Sequence, residues 1–235
     1  MKLYTVKSPR FIARMAGVFY LLTALTSVIG ETFIPGRLVI PGNAAATANN
    51  ILAHQNLFQL GFAALLIAVV FSVVLTALFY ELFKPVNKSI SLTAAFVHLV
   101  GLAILAFSSL LLLAPLVVLK GGKYLSVFKV GQLQALAYMF LQLNIQAWNA
   151  FIAFFGFYCV LIGYLIFKSA FLPRIIGAFM IFAGLGYLTF LLPSLSDYLS
   201  PYNLAPAALG ELSLMIWLLA MGANSQRWKE QAGIA

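Results

Sequence analysis

The sequence predicts an all-α fold, a polytopic membrane bundle of six transmembrane helices with both termini in the cytoplasm. Three observations carry this. First, 63% of the 235 residues are hydrophobic and only 8% are charged, whereas soluble domains carry about a quarter charged residues. Second, the charges cluster and leave apolar runs near 20 residues long, enough to cross roughly 30 Å of hydrocarbon. Third, short segments bearing Pro, Gly and Lys separate those runs. Residues 1–235 read as a single six-helix membrane domain, with no linker, low-complexity segment or soluble domain.

The first span is expected over about 10–34 and is broken by the Pro/Gly loop IPGRLVIPGN, 34–43. The second runs over about 47–83, with Thr47 as the expected N-cap. It is longer than one crossing needs, so its polar start should project beyond the hydrocarbon. KPVNK, 84–88, is a tight turn, because proline stops a helix and Asn favours turn geometry. The third span covers about 89–119, and Pro115 should kink it near its end. The fourth covers about 132–167 and is again too long for one crossing. SAFLP, 169–173, turns the chain into the fifth span, 174–192. A loop containing Pro193, Asp197, Pro201 and Pro206 leads to the sixth, 207–221.

Lys and Arg set the orientation. One side collects Lys2, Lys7, Arg10, Arg14, Lys84, Lys88, Lys168, Arg174, Arg227 and Lys229. The other has Arg37, Lys120, Lys123 and Lys129. Cytoplasmic loops carry the excess of basic residues, which puts both termini inside. The net charge of +9 therefore reads as topology signals, not as a nucleic-acid surface, because no basic patch is interleaved with aromatic residues. Cys159, the single cysteine, lies in an apolar run and serves as a small packing residue; no intrachain disulfide can form. No small-x-small cleavage site follows the basic N-terminal stretch, so it is expected to remain as the first helix. A weak parallel repeat is visible. PRFIARMAGVFYLL (9–22) and PRIIGAFMIFAGLGYL (173–188) share a Pro-Arg start and a Gly-x-x-Tyr-Leu finish.

Depth along a helix accrues at about 1.5 Å per residue, and it places several polar residues at one outer level. Glu31 closes the first helix. ATANNILAHQNLFQLG, 46–61, opens the second. Gln142, Gln146 and Asn149 lie in the outer part of the fourth, and Glu211 begins the sixth. Gln142, Gln146 and Asn149 share one face, which Ala153, Gly156 and Val160 continue inward. Small residues on such a face let helices approach closely. In the second helix Asn50 and His54 share the Gly61 face, while Asn49 and Asn56 point away. Ionisable residues within a membrane are costly and mark sites by default. The candidate ligand-binding set is therefore Glu31, Asn50, His54, Gln142, Gln146, Asn149 and Glu211, an outward-facing polar pocket. The plainer reading is an ordinary wet helix end, where such residues cost little.

Metal and haem chemistry find little support in the spacing. Glu31, His54 and Glu211 are ligand types that suit zinc, yet HExxH and similar fixed spacings are absent, so no metal site is assigned. His54 precedes the middle of the KPVNK turn by about 32 residues and His98 follows it by about 12, which separates their depths by roughly 30 Å. A bis-His haem between them is strongly disfavoured on that ground, and the cofactor is left unassigned. Ala94 and Gly101 flank His98 on its own face, so His98 is expected to be packed and hydrogen-bonded. There is no nucleophile elbow, phosphate loop, voltage-sensor pattern or selectivity filter.

RMAGVFYLLTALTSVIGE (14–31), TANNILAHQNLFQLG (47–61), LFKPVNKSISL (82–92), FLPRIIGAFMIFAGLGYL (171–188) and GELSLMIWLLAMG (210–222) occur in order. Together they resemble the successive motifs of a bacterial membrane family catalogued as domain of unknown function 4386. The resemblance spans nearly the whole chain. It implies six helices and a place in the bacterial cytoplasmic membrane, and it brings no activity, cofactor or catalytic residue. In that family an acidic residue often follows the position of His54; here Gln55 stands there.

Three function classes follow. The first is a membrane protein that binds a lipid-like or small amphipathic ligand, or a partner subunit of a larger complex, at the outer polar pocket. The second is an intramembrane enzyme, metal-assisted or not, built on Glu31, His54 and Glu211. The third is a small-molecule transporter, which the sparse polar residues of the inner half (Glu81, Ser91, Thr93, His98) disfavour. The first is preferred. Its expected partners are membrane lipids and membrane subunits, with no nucleic acid.

Overall fold

The computed structural model describes residues 8–234, and every regular element among them is helical. A chain this apolar has little choice, because in hydrocarbon each backbone N–H and C=O must find its partner within the protein. Six helical stretches are long and apolar enough to cross a membrane: Pro9–Leu38, Gln55–Phe83, Lys88–Lys120, Val130–Lys168, Arg174–Leu191 and Tyr202–Ala220. The protein is thus a multi-pass membrane protein. Large apolar side chains such as Val70, Phe96, Phe107 and Phe182 stand exposed along these helices, as a lipid-facing surface allows.

The first span is not a single regular helix. α1, Pro9–Ser27, gives way to a π-helical turn, Val28–Phe33, and then to α2, Ile34–Leu38. The sequence puts the end of this span at Ile34, with IPGRL as loop; the helix instead runs on to Leu38. The wide turn explains it. The Ile34 N–H reaches back to the Ile29 carbonyl, so the ladder is already offset where Pro35 arrives without a donor. Proline then sits in the first turn of α2, a position it tolerates. The chain leaves helical geometry only at Val39, and Gly42, with φ of +74°, turns it.

The second span also departs from expectation. α3, Ala44–Ala53, and α4, Gln55–Phe83, are separate helices that meet at His54, whose φ of −124° and ψ of 45° break the ladder. The N-cap is Asn43, whose side chain accepts from the Ala46 N–H at 2.9 Å, and not Thr47. Thr47 is buried and ties the preceding loop instead. Its hydroxyl accepts from the Ile40 N–H at 2.9 Å and donates to the Ile40 carbonyl at 3.2 Å.

α5, Lys88–Lys120, is capped by Asn87, which accepts from the Ile90 N–H at 3.0 Å, and it continues through Pro115. α6, Val130–Lys168, has 39 residues and a length of about 58 Å, nearly twice the hydrocarbon thickness. α7, Arg174–Leu188, is prolonged by a 3₁₀ turn, Thr189–Leu191. The loop expected after it holds a short helix, α8, Pro193–Leu199, and a second 3₁₀ turn, Tyr202–Leu204. α9, Ala205–Ala220, is the last span. The polar tail folds as α10, Ser225–Gln231, capped by Asn224.

Two compact units are present. The first combines residues 8–21, 71–102 and 150–234; the second combines 22–70 and 103–149. In the first unit glycines set the helix spacing. A Cβ on Gly177 would lie 2.6 Å from the Phe167 nitrogen and 2.7 Å from the Gly163 carbonyl oxygen. One on Gly184 would lie 2.7 Å from the Gly156 carbonyl oxygen. The paired positions, 156 with 184 and 163 with 177, recur seven residues apart on α6 and α7, so the two helices run antiparallel in near backbone contact. Close approach of this kind is how helices gain packing energy where lipid removes the hydrophobic drive. Around this seam Phe79, Phe83, Leu165, Ile166, Met180, Leu214 and Leu218 are fully buried. The second unit has its own core of Ile34, Leu38, Ile51, Phe58, Leu65, Leu112, Leu116 and Leu141.

Candidate functional site

Within the second unit lies a cavity of about 420 Å³. Its first wall comes from the π-helical turn and α2: Gly30, Glu31, Thr32, Pro35, Gly36 and Val39, with Pro41 beyond them. Leu65 of α4 and Leu105, Ser108 and Leu112 of α5 form the second wall. Leu141, Gln142, Asn144, Ile145 and Trp148 of α6 close it. Gly30 is needed at this spot, since a Cβ there would stand 2.6 Å from Leu65 Cγ and 2.8 Å from the Gly61 carbonyl oxygen. The absence of a side chain lets the turn settle on α4 and leaves the next residue, Glu31, on the cavity. π-turns are rare and recur at functional sites.

The polar groups of the cavity are organised. Asn144 Nδ2 donates to the Ser108 carbonyl at 2.9 Å and to Ser108 Oγ at 2.8 Å. Ser108 Oγ in turn donates to the Asn144 carbonyl at 3.1 Å. This reciprocal set joins α5 to α6 and holds Asn144 in place. Trp148 lines the same cavity as Glu31. Among the described residues the ion pair is Lys84 with Glu81, so Glu31 has no basic partner within ion-pair distance.

The sequence-derived candidates are placed as follows. Glu31 and Gln142 line the cavity. Gln146 is exposed and Asn149 half-buried, and neither lines it. Asn50 donates its amide to the Leu38 carbonyl at 3.1 Å, satisfying the end of α2. His54 is exposed at the break between α3 and α4. Besides Gln142, the lining residues of α6 are 141, 144, 145 and 148, an i, i+3, i+4, i+7 stripe that contains Asn144. That stripe is readable in sequence once Asn144 is counted with its apolar neighbours. Ser108 has no local signal, because its partner lies 36 residues away.

Glu211 belongs to the first unit and is held there by tyrosines. Tyr20 of α1 donates to Oε2 at 3.1 Å, and Tyr187 of α7 donates to Oε1. Both donors are the tyrosines of the repeated Gly-x-x-Tyr-Leu endings, Gly17–Leu21 and Gly184–Leu188. The glycines of those motifs let α1 approach α9 and α7 approach α6: a Cβ on Gly17 would lie 2.8 Å from the Leu219 nitrogen. The carboxylate thus has both oxygens satisfied by neutral donors, and again no basic partner among the described residues.

His98, also in the first unit, is buried. Thr76 Oγ1 donates to the Ser72 carbonyl at 2.7 Å, so its single hydrogen is committed there. The 2.7 Å contact between Thr76 Oγ1 and His98 Nδ1 therefore has the imidazole as donor, which assigns the proton to Nδ1. The ring stacks on Tyr158 with centroids 4.0 Å apart and planes 13° from parallel.

Among the described residues no group of three or more His, Cys, Asp or Glu side chains gathers as a metal site would require. The cavity is an apolar chamber with the Glu31 carboxylate on its wall. No curated protein and no solved structure matches the chain. The family model described as Domain of unknown function (DUF4386) matches residues 15–222, from α1 to the end of α9, and the chain belongs to that family.

Proposed function

We propose that this membrane protein binds a lipid-like or small amphipathic ligand in the cavity of its second unit. The observation that carries the reading is the cavity itself. At about 420 Å³ it falls within the roughly 300–1,000 Å³ of small-molecule sites, which are apolar with a few convergent polar groups. Its apolar wall of Leu65, Leu105, Leu112, Leu141 and Ile145 suits an alkyl chain, and Glu31, Ser108, Asn144 and Trp148 suit a head group. With the N-terminus in the cytoplasm, as the distribution of Lys and Arg predicts, Glu31 at the far end of the first span faces outward. The family resemblance points to the bacterial cytoplasmic membrane as the place where this occurs.

Native mass spectrometry of the purified protein with dodecylamine, dodecanol and dodecanoate tests the reading. Saturable uptake of at least one amphiphile is expected. Ile145→Trp, a change at an exposed cavity-lining position, should abolish it by filling the chamber. Uptake of none, or uptake unchanged by Ile145→Trp, would remove the proposal.

A further inference from the structure

Resting on that reading, we infer that the head group received by the cavity is a cation, an alkylammonium-type amine, and that Glu31 is its counter-charge. Three features of the lining point the same way. Among the described residues Glu31 is the sole ionisable side chain that lines the cavity, and no Lys, Arg or His does. Arg37, the nearest basic residue in sequence, stacks over the Phe33 ring with its guanidinium carbon 4.0 Å from the centroid, and so is held by its own aromatic partner. A carboxylate in a largely apolar chamber with no basic partner is costly to keep ionised, and a bound cation removes that cost.

The hydrogen-bonding balance agrees. Two donors of the polar end are already committed within the protein, Asn144 Nδ2 to Ser108 and Ser108 Oγ to the Asn144 carbonyl, and Thr32 and Gln142 also line the cavity. This pair leaves Asn144 Oδ1 as an acceptor alongside the Glu31 carboxylate. An ammonium head offers three donors and no acceptor, which complements that set. A carboxylate or phosphate head would face the Glu31 charge. Trp148 adds to the lining an aromatic side chain of the kind that attracts cations.

Head-group competition tests this. Protein in lipid nanodiscs is titrated with tritiated dodecylamine, and the bound label is displaced with unlabelled dodecylamine, dodecanol or dodecanoate. Displacement by the alcohol and by the acid should need at least about tenfold more competitor than displacement by the amine. Glu31→Gln should weaken amine binding by about tenfold or more while leaving dodecanol affinity unchanged. Ile145→Lys, which sets a cation at the exposed cavity wall without touching Glu31, should reverse the preference towards dodecanoate. Equal displacement by all three competitors, or an amine affinity unchanged in a folded Glu31→Gln protein, overturns the cationic head while leaving an occupied cavity standing. Saturable binding of no amphiphile overturns both.

Discussion

The Tyr20 hydroxyl donates a 3.1 Å hydrogen bond to Oε2 of Glu211, 191 residues away in sequence. Tyr187 donates to the other carboxylate oxygen, so one acidic side chain on α9 is gripped by α1 and α7 together. Hydrogen bonds to charged groups contribute about 1.5–3 kcal/mol in soluble proteins, and those between membrane helices average nearer 0.6. Tyr20→Phe and Tyr187→Phe are each expected to destabilise the protein by about 1–2 kcal/mol, measured by unfolding in bicelles. Because both bonds end on one group, the double variant should depart from additivity by at least about 0.5 kcal/mol. Single variants that unfold like wild type would show that the clamp is geometrically present but energetically idle.

The glycine seam of α6 and α7 makes a second prediction. Alanine normally favours a helix over glycine by about 0.5–1 kcal/mol. At Gly177 the added methyl would stand 2.6 Å from backbone, and backbone cannot yield as a flexible side chain can. Gly177→Ala and Gly184→Ala should therefore lower stability by about 1–3 kcal/mol. Gly131→Ala, where a Cβ meets nothing within 4 Å, should be neutral or mildly stabilising. Thermal melting of the three variants in detergent separates these outcomes, and a stabilising Gly177→Ala would disprove the close approach.

His98 carries a spectroscopic prediction. With the Thr76 hydrogen committed to the Ser72 carbonyl, nitrogen NMR of labelled histidine should report the Nδ1–H tautomer for this ring. Thr76→Val keeps the shape, removes the acceptor and should cost about 1–3 kcal/mol; Thr76→Ser should restore most of it. Observation of the Nε2–H tautomer in the wild-type protein would contradict the assigned direction of the bond.

The polar tail is part of the fold. Trp228 on α10 is buried and its indole nitrogen donates to the Leu82 carbonyl at 2.8 Å, at the end of α4. Trp228→Ala removes both the bond and a large buried ring, with an expected cost of about 3–5 kcal/mol. Trp228→Phe should lose only about 1 kcal/mol. Proteolysis of the tail offers an independent readout: cleavage beyond Asn224 should accelerate in Trp228→Ala, and equal rates in wild type and variant would mean that the tail does not dock.

Much of the architecture was legible before any coordinates. Apolar runs near 20 residues long required helices and their count set the number of spans, since a run of that length satisfies its own backbone in lipid by coiling. The boundaries were less legible where one residue could serve two geometries. Pro35 reads as a helix breaker, yet the offset ladder of the π-turn admits it. Thr47 reads as an N-cap, yet Asn43 is closer to the Gly42 turn and takes that place. His54 looked like one residue of a continuous helix and is the break between two.

For the site, local pattern marked Glu31, Gln142 and Glu211 as polar residues in apolar runs, and it marked the Gly-x-x-Tyr-Leu repeat without saying what the tyrosines meet. Depth and helical phase bring residues to a level and a face, but they carry no information about rotation of one helix against another. Asn50 faces the Leu38 carbonyl and not the cavity, while Asn144 lines it through a partner 36 residues distant. The sequence by itself determined the membrane class, the helices and the residues costly enough to require partners. Only the tertiary structure decided what surrounds them: tyrosines for Glu211, and for Glu31 an open chamber. Pairing depends on long-range helix contacts set by glycines and packing, and no local pattern encodes those.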